Sequence, residues 1–156
     1  MPELGKPWED YFRKTWKAQF PGTFIFRLKD DVSGFKQTSA NPCDFLCYPE
    51  AGKFLMIECK AHAGASVPFS ALPQYERLLE YNSLKNVFPG FLVWLYEKDI
   101  IFWCPIETAK QIYEDGEKSI GIRHFDDYNI IIIPGEKKRT FITPDYSKLL
   151  EAINDR

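Results

Sequence analysis

The chain has 156 residues, of which 45% are hydrophobic and 27% are charged, and its formal net charge is −2. These proportions are ordinary for a globular domain, and no apolar run approaches the roughly 18 residues of a membrane span. Disorder and membrane insertion are therefore excluded. A net negative charge excludes a protein that binds nucleic acid through bulk positive charge. It does not exclude a nuclease, because the metal site of a nuclease is itself a cluster of carboxylates.

No linker, repeat or low-complexity tract divides the sequence, so we expect a single domain spanning residues 1–156. The first ten residues carry Glu3, Glu9 and Asp10 and no apolar segment typical of a secretory signal, which predicts a cytoplasmic protein. The cysteines at positions 43, 47, 59 and 104 are expected to be thiols in such a reducing compartment.

The first predicted element is an amphipathic helix. Pro7 suits its first turn, and the Pro21-Gly22 pair marks its end. Aromatic residues recur between them every three or four positions, at Trp8, Tyr11, Phe12, Trp16 and Phe20. The polar side of this helix carries Arg13, Lys14 and Lys17.

A strand and a hairpin are predicted next. Residues Phe24–Leu28 alternate as in a strand, whereas Lys29–Asn41 has no periodicity and is rich in loop-forming residues. Two short runs, Cys43–Tyr48 and Lys53–Lys60, follow on either side of the turn residues 49–52. This arrangement is typical of a β-hairpin.

The second half of the chain supplies the remaining elements. Pro73–Lys85 has helical spacing, and the runs Phe91–Glu97 and Asp99–Cys104 are apolar enough to be strands buried on both faces. We further predict a helix over Thr108–Glu114, strands over Asn129–Ile133 and Thr140–Ile142, and a closing helix over Pro144–Ile153. This order predicts an α/β fold in which helices flank the sheet.

The predicted hairpin carries Asp44 on its first strand and Glu58 and Lys60 on its second. Glu58 and Lys60 are two positions apart on one strand and therefore project from the same face, and the partner strand can bring Asp44 beside them. Two neighbouring carboxylates repel unless they share a proton or bind a cation. With hard oxygen ligands that cation would be magnesium or manganese, and Lys60 could orient a water that attacks a phosphodiester.

The same spacing also occurs by chance on solvated strand faces. The apolar neighbours Phe45, Leu46 and Phe54–Ile57 favour a functional interpretation, because charges placed in an interior strand are costly.

These residues resemble a known family. The order of Glu9, Asp44 and Glu58-Cys59-Lys60 is similar to the PD-(D/E)XK nuclease signature. The following Ser66-Val67-Pro68-Phe69 and Gln74 resemble the RecU branch, which comprises Holliday junction resolvases. The resemblance implies a restriction endonuclease-like mixed β-sheet flanked by helices.

The resemblance also implies individual roles. Asp44, Glu58, Gln74 and Cys59 would hold Mg²⁺ or Mn²⁺, Lys60 would serve the attacking water, and Glu9 would assist from the first helix. Pro42 occupies the position where the RecU pattern has a threonine. DNA contacts are expected from Arg13, Lys14, Lys17, His62 and Ser66.

We therefore expect a metal-dependent DNA endonuclease, most specifically a resolvase that makes paired incisions in four-way junctions. The alternatives are a PD-(D/E)XK nuclease acting on duplex, flap or single-stranded DNA, and a non-catalytic DNA-binding recombination module. Paired incisions predict a homodimer, for which Phe91–Trp103 and Lys29–Asn41 are candidate surfaces.

Overall fold

A computed structural model describes residues 3–28, 41–138 and 141–154. The helices are α1 (Gly5–Gln19), α2 (Tyr75–Leu79), α3 (Ile106–Glu114) and α4 (Ser147–Asn154). The strands are β1 (Phe24–Arg27), β2 (Phe45–Glu50), β3 (Lys53–His62), β4 (Ser66–Pro68), β5 (Val87–Leu95), β6 (Ile100–Pro105), β7 (Ser119–Gly121), β8 (Ile131–Ile133), β9 (Gly135–Lys138) and β10 (Phe141–Pro144).

The main sheet has six strands in the order β1-β2-β3-β5-β6-β8. Strands β3 and β5 are parallel, and every other neighbouring pair in this sheet is antiparallel. The sheet is therefore mixed, as expected. Strand β3 lies in its middle, between β2 and the parallel strand β5.

Helix α1 is amphipathic in the way the sequence predicts. Trp8, Phe12 and Trp16 recur every four residues and are buried against one face of the sheet. The indole nitrogen of Trp8 also donates a hydrogen bond to the carbonyl oxygen of Leu92, at 3.3 Å. Aromatic burial thus fixes α1 on the sheet, and the positively charged side of the helix is left to solvent.

Two apolar clusters occupy the two faces of the sheet. One contains residues of α1 and α4, and the other contains residues of α2 and α3. Alternation along β3 sends Leu55 and Ile57 into the first cluster and Met56 into the second. The same alternation places Glu58 and Lys60 on the α2/α3 face.

Several elements differ from the predictions. Helix α2 ends at Leu79 instead of continuing to Lys85, since turns follow it and Asn86 has a φ of 64°. The exposed Leu84 shows that the helical spacing there was coincidental. Periodicity also missed β4, β7 and β9, which have only three or four residues each. Most of the predicted Lys29–Asn41 loop lies outside the described residues.

The run Phe91–Trp103 is not an available subunit interface. Phe91, Trp94, Phe102 and Trp103 are each at most 2% exposed, because both strands of this run lie inside the sheet between the two clusters. The expectation that this run covers a partner subunit is therefore wrong.

Within the described part of the chain, no helix combines the length and the apolar character needed to cross a membrane.

Strand β5 approaches its neighbour β6 closely at Gly90. A Cβ at this position would lie 2.6 Å from the carbonyl oxygen of Cys104 and 2.7 Å from the ring of Trp103. We expect Gly90→Ala to lower the free energy of unfolding by about 1–3 kcal/mol, because neither neighbour can move freely. Gly5→Ala is the control, since a Cβ there meets nothing within 4 Å. Chemical denaturation measures both, and equal stability of the two variants would contradict this packing.

Candidate active site

Asp44 is fixed by its backbone between two strands. Its carbonyl oxygen accepts a hydrogen bond from the N–H of Leu28 at 2.8 Å, and its own N–H donates to the carbonyl oxygen of Ile57 at 3.1 Å. Its carboxylate atom Oδ2 accepts a further hydrogen bond from the N–H of Cys59 at 2.9 Å. Asp44 is therefore part of the sheet ladder although it precedes β2.

Glu58 lies beside Asp44 on the neighbouring strand. Phe45 pairs with Ile57, so continuing this antiparallel register by one residue sets Asp44 opposite Glu58. The two side chains are hydrogen-bonded to each other. Glu58 is only 6% exposed, which makes it one of the few buried charged residues among those the structure describes.

Burial controls the ionisation of this pair. It is the largest cause that raises the pKa of Glu58 to about 9, and the negative charge of Asp44 is the second. The pKa of Asp44 rises to about 6, first through burial and then through the charge of Glu9. At neutral pH in the absence of a cation, the pair therefore retains one proton, which the two carboxyl groups share.

Charged neighbours modulate both carboxyl groups. The Lys60 ammonium opposes the rise in the pKa of Glu58, and the Arg27 guanidinium opposes the rise in the pKa of Asp44. Arg27 also forms an ion pair with Glu9, at 3.0 Å between Nη2 and Oε1. The structure thus brings together four predicted site residues, Glu9, Asp44, Glu58 and Lys60.

Arg27 is a site residue that the sequence analysis did not single out. It is the one charged residue in the predicted strand Phe24–Leu28, and alternation sets it on the same face as Ile25, towards α1. The charge of Arg27 on a face that packs against α1 was the sequence signal that could have identified it as a site residue. From there the guanidinium joins α1, through Glu9, to the sheet residue Asp44.

Two of the predicted site residues each have a buried side-chain oxygen atom without a hydrogen-bond partner. These atoms are Oε1 of Glu58 and Oε1 of Gln74. Gln74 immediately precedes α2, whose Leu78 lies in the same cluster as Met56 and Phe91, so it belongs to the sheet face that carries Glu58. A buried oxygen without a donor is costly, and a hard cation is the kind of partner that satisfies such atoms.

The donor set suits Mg²⁺ or Mn²⁺ better than a softer metal. Within the described residues, no group of three or more His, Cys, Asp and Glu side chains is arranged to hold a metal ion. Two carboxylates and one amide oxygen are nevertheless compatible with Mg²⁺, which usually keeps several waters and uses few protein ligands. These residues therefore fit the implied metal.

Other predicted site residues lie outside this group. The Cys59 thiol is buried in the α1/α4 cluster, and burial keeps its pKa well above the ordinary value. Only the main-chain oxygen of Cys59 could serve a hard cation. His62 contacts its own neighbour through Nδ1, 2.8 Å from the Ala63 oxygen, and Ser66 belongs to the separate β4–β7 sheet. Arg13, Lys14 and Lys17 are exposed on α1.

No family model matches the chain, and a search of curated proteins gives no match. Among solved structures, the chain is similar to Hjc, a Holliday junction resolvase from the archaeal hyperthermophile Archaeoglobus fulgidus, at 21% identity and a TM-score of 0.54. The match covers 80% of this chain and 93% of Hjc. This likeness confirms the predicted fold class, an α/β fold with a mixed sheet flanked by helices, which matches the fold of Hjc.

The raised pKa of Glu58 predicts a dependence of stability on pH. The unfolded chain releases the Glu58 proton near pH 4.5, whereas the folded chain holds it to about pH 9, so stability falls as the pH rises between these values. In chelator, the melting temperature of the wild type should decline across this window by several degrees more than that of Glu58→Gln. Differential scanning calorimetry measures this difference, and parallel curves for the two proteins would contradict the assignment.

Proposed function

We propose that this protein is a metal-dependent DNA endonuclease that resolves four-way junctions. The observation that carries the proposal is the buried Asp44–Glu58 pair, with one unpartnered carboxyl oxygen and the Lys60 ammonium beside it. Burying two carboxyl groups side by side costs stability, and an apolar pair of similar size would avoid that cost. A non-catalytic DNA-binding module would have no use for such a pair.

The fold supports the choice of substrate. Hjc, a solved structure with a similar fold, is a Holliday junction resolvase. The motif that runs from Glu58-Cys59-Lys60 through Ser66-Val67-Pro68 to Gln74 adds the resemblance to the RecU branch. Both lines of support favour a branched DNA substrate over ordinary duplex.

Asp44, Glu58 and Gln74 would hold the metal, and the main-chain oxygen of Cys59 could complete the protein ligands. When bound, Mg²⁺ or Mn²⁺ supplies positive charge for the scissile phosphate and lowers the pKa of a water. Calcium should support DNA binding more than turnover, since its larger and looser coordination shell positions water poorly.

The remaining residues act on the substrate through charge and position. Lys60 is on the same strand face as Glu58, where its ammonium can orient water or stabilise negative charge on the phosphate. Arg27 holds Glu9 by an ion pair and adds positive potential beside Asp44. Together they position a phosphodiester over the carboxyl pair.

Replacing either carboxyl group should abolish cleavage. We expect Glu58→Gln and Asp44→Asn to lower the rate on a labelled junction by at least about a hundredfold, because each removes a metal ligand. Junction affinity should stay within about threefold, since phosphate contacts elsewhere carry the binding.

Glu50→Gln is the matched control for these variants. Glu50 ends β2 on the same hairpin but is exposed, and it forms an ion pair with Lys53. Gel assays with and without Mg²⁺ measure cleavage, and anisotropy measures affinity. Wild-type rates in Glu58→Gln would refute the assignment of the site.

We further propose a twofold-symmetric homodimer that makes one incision with each subunit. Resolution of a junction requires two incisions, and the described chain contains one Asp44–Glu58 pair. A twofold axis supplies two such sites in matching orientation.

Light scattering should therefore give twice the mass of 18.2 kDa at assay concentration. Incision mapping on a junction with immobile arms should show paired cuts. A monomer that cuts linear duplex as readily as a junction would show that the protein is not a resolvase. It would still agree with a metal-dependent nuclease.

A further inference from the structure

An exposed aromatic strip lies at one edge of the main sheet. It consists of Phe24 and Phe26 on β1 and Tyr48 on β2, with exposures of 49%, 51% and 43%. The two phenylalanine rings are almost parallel, at 3° between planes and 6.4 Å between centroids. Tyr48 is the cross-strand partner of Phe24. Three large aromatic side chains thus face solvent side by side, which is unusual for a surface without a ligand.

The aromatic strip lies on the same sheet face as the candidate active site. Ile25, between the two phenylalanines, packs against the α1/α4 cluster, so the phenylalanines project from the opposite face. Phe26 pairs with Leu46, and Asp44 is two residues before Leu46. The strip therefore leads directly towards the Asp44–Glu58 pair.

A positively charged groove borders this strip. It has a volume of about 450 Å³ and lies between the polar side of α1 and strand β1, so it is on the α1 face and meets the strip around the edge of the sheet. Lys6, Arg13 and Lys17 line it together with Arg27, and Asp10 is its one acidic residue. Among the described residues, Lys6, Arg13 and Lys17 have no ion-pair partner. Phe26 lines the groove as well, so the groove and the strip are continuous.

We propose that the groove and the strip bind a single-stranded segment of DNA beside the cleavage site. Phosphates occupy the groove, and unpaired bases stack on Phe24 and Phe26. Aromatic faces bind unpaired bases because every base presents a π-face, whereas the bases of a duplex are already stacked on one another. The identification of the strand as DNA rests on the proposed function.

Charge favours this occupant over a second copy of the chain. A twofold contact through the strip would bring the adjoining groove of one copy near the same groove of the other, and like charges would repel. A polyanion instead neutralises Lys6, Arg13 and Lys17.

The test is a comparison of single-stranded and duplex DNA. Fluorescence anisotropy in chelator, at fixed salt, gives the affinity for a 12-nucleotide oligothymidine and for a 12-base-pair duplex without DNA cleavage. We expect the double variant Phe24→Ala/Phe26→Ala to lose about tenfold or more in affinity for oligothymidine, and less than about twofold for duplex. Ile132→Ala is the control, because Ile132 is 53% exposed on the opposite edge strand β8.

A second variant reports stacking without removing apolar surface. The four native tryptophans are all buried, so Phe24→Trp adds an exposed fluorophore. Oligothymidine should quench its emission, and duplex should not.

Equal loss on both DNA probes, no loss on oligothymidine, or conversion of a dimer to a monomer by the double variant would overturn the inference. The last of these results would identify the strip as a subunit interface. If the wild type cuts no junction, the proposed nuclease function is wrong, but the difference in affinity between oligothymidine and duplex can still be measured. If the wild type cuts junctions but the double variant loses no more affinity for oligothymidine than for duplex, only the inference about the groove and the strip is wrong.

Discussion

The site depends on two carboxyl groups that face each other across neighbouring strands, with Glu58 buried and Asp44 partly buried. Asp44 and Glu58 cannot both ionise there without help, because burial raises the pKa of each, the charge of Asp44 raises that of Glu58 further, and the charge of Glu9 raises that of Asp44. A retained proton allows one hydrogen bond between the two carboxyl groups, but Oε1 of Glu58 still has no hydrogen-bond partner. We therefore propose that a cation is the partner that this pair accepts.

The rest of the fold serves to hold this pair in place. Strand β3 is central and is paired on both sides, so Glu58 cannot swing into water. Hydrogen bonds from Leu28 and to Ile57 fix the backbone of Asp44. The aromatic residues of α1 anchor that helix on the opposite face of the sheet, and from its first turns Glu9 reaches Arg27. Packing energy far from the site thus offsets the cost of the buried charges.

Much of this could be predicted from the sequence, because strong periodicity reports burial directly. The aromatic repeat of α1 and the alternation along β3 are long patterns, and each correctly indicated which side chains share a face. The hairpin that sets Asp44 beside Glu58 followed from its two strands and its turn.

What could not be predicted depends on contacts between distant residues. The ion pair of Arg27 with Glu9 joins a strand to a helix, and no local pattern specifies such a contact. Strands of three or four residues, such as β4 and β7, are held by each other and carry too few residues for a period to show. The burial of the run from Phe91 to Trp103 likewise depends on which helices cover the sheet. Apolar composition alone could not separate a core from an interface.

The direct measurement is a carbon-13 NMR titration of the Asp44 and Glu58 carboxyl groups in the metal-free protein, with Glu58→Gln used for assignment. We expect two separated transitions of the pair, one above neutrality to which Glu58 contributes most and one below it to which Asp44 contributes most. Added Mg²⁺ should displace the retained proton and abolish the upper transition. Two carboxyl groups that both titrate near pH 4 and do not respond to Mg²⁺ would show that Asp44 and Glu58 are not a coupled, metal-binding pair.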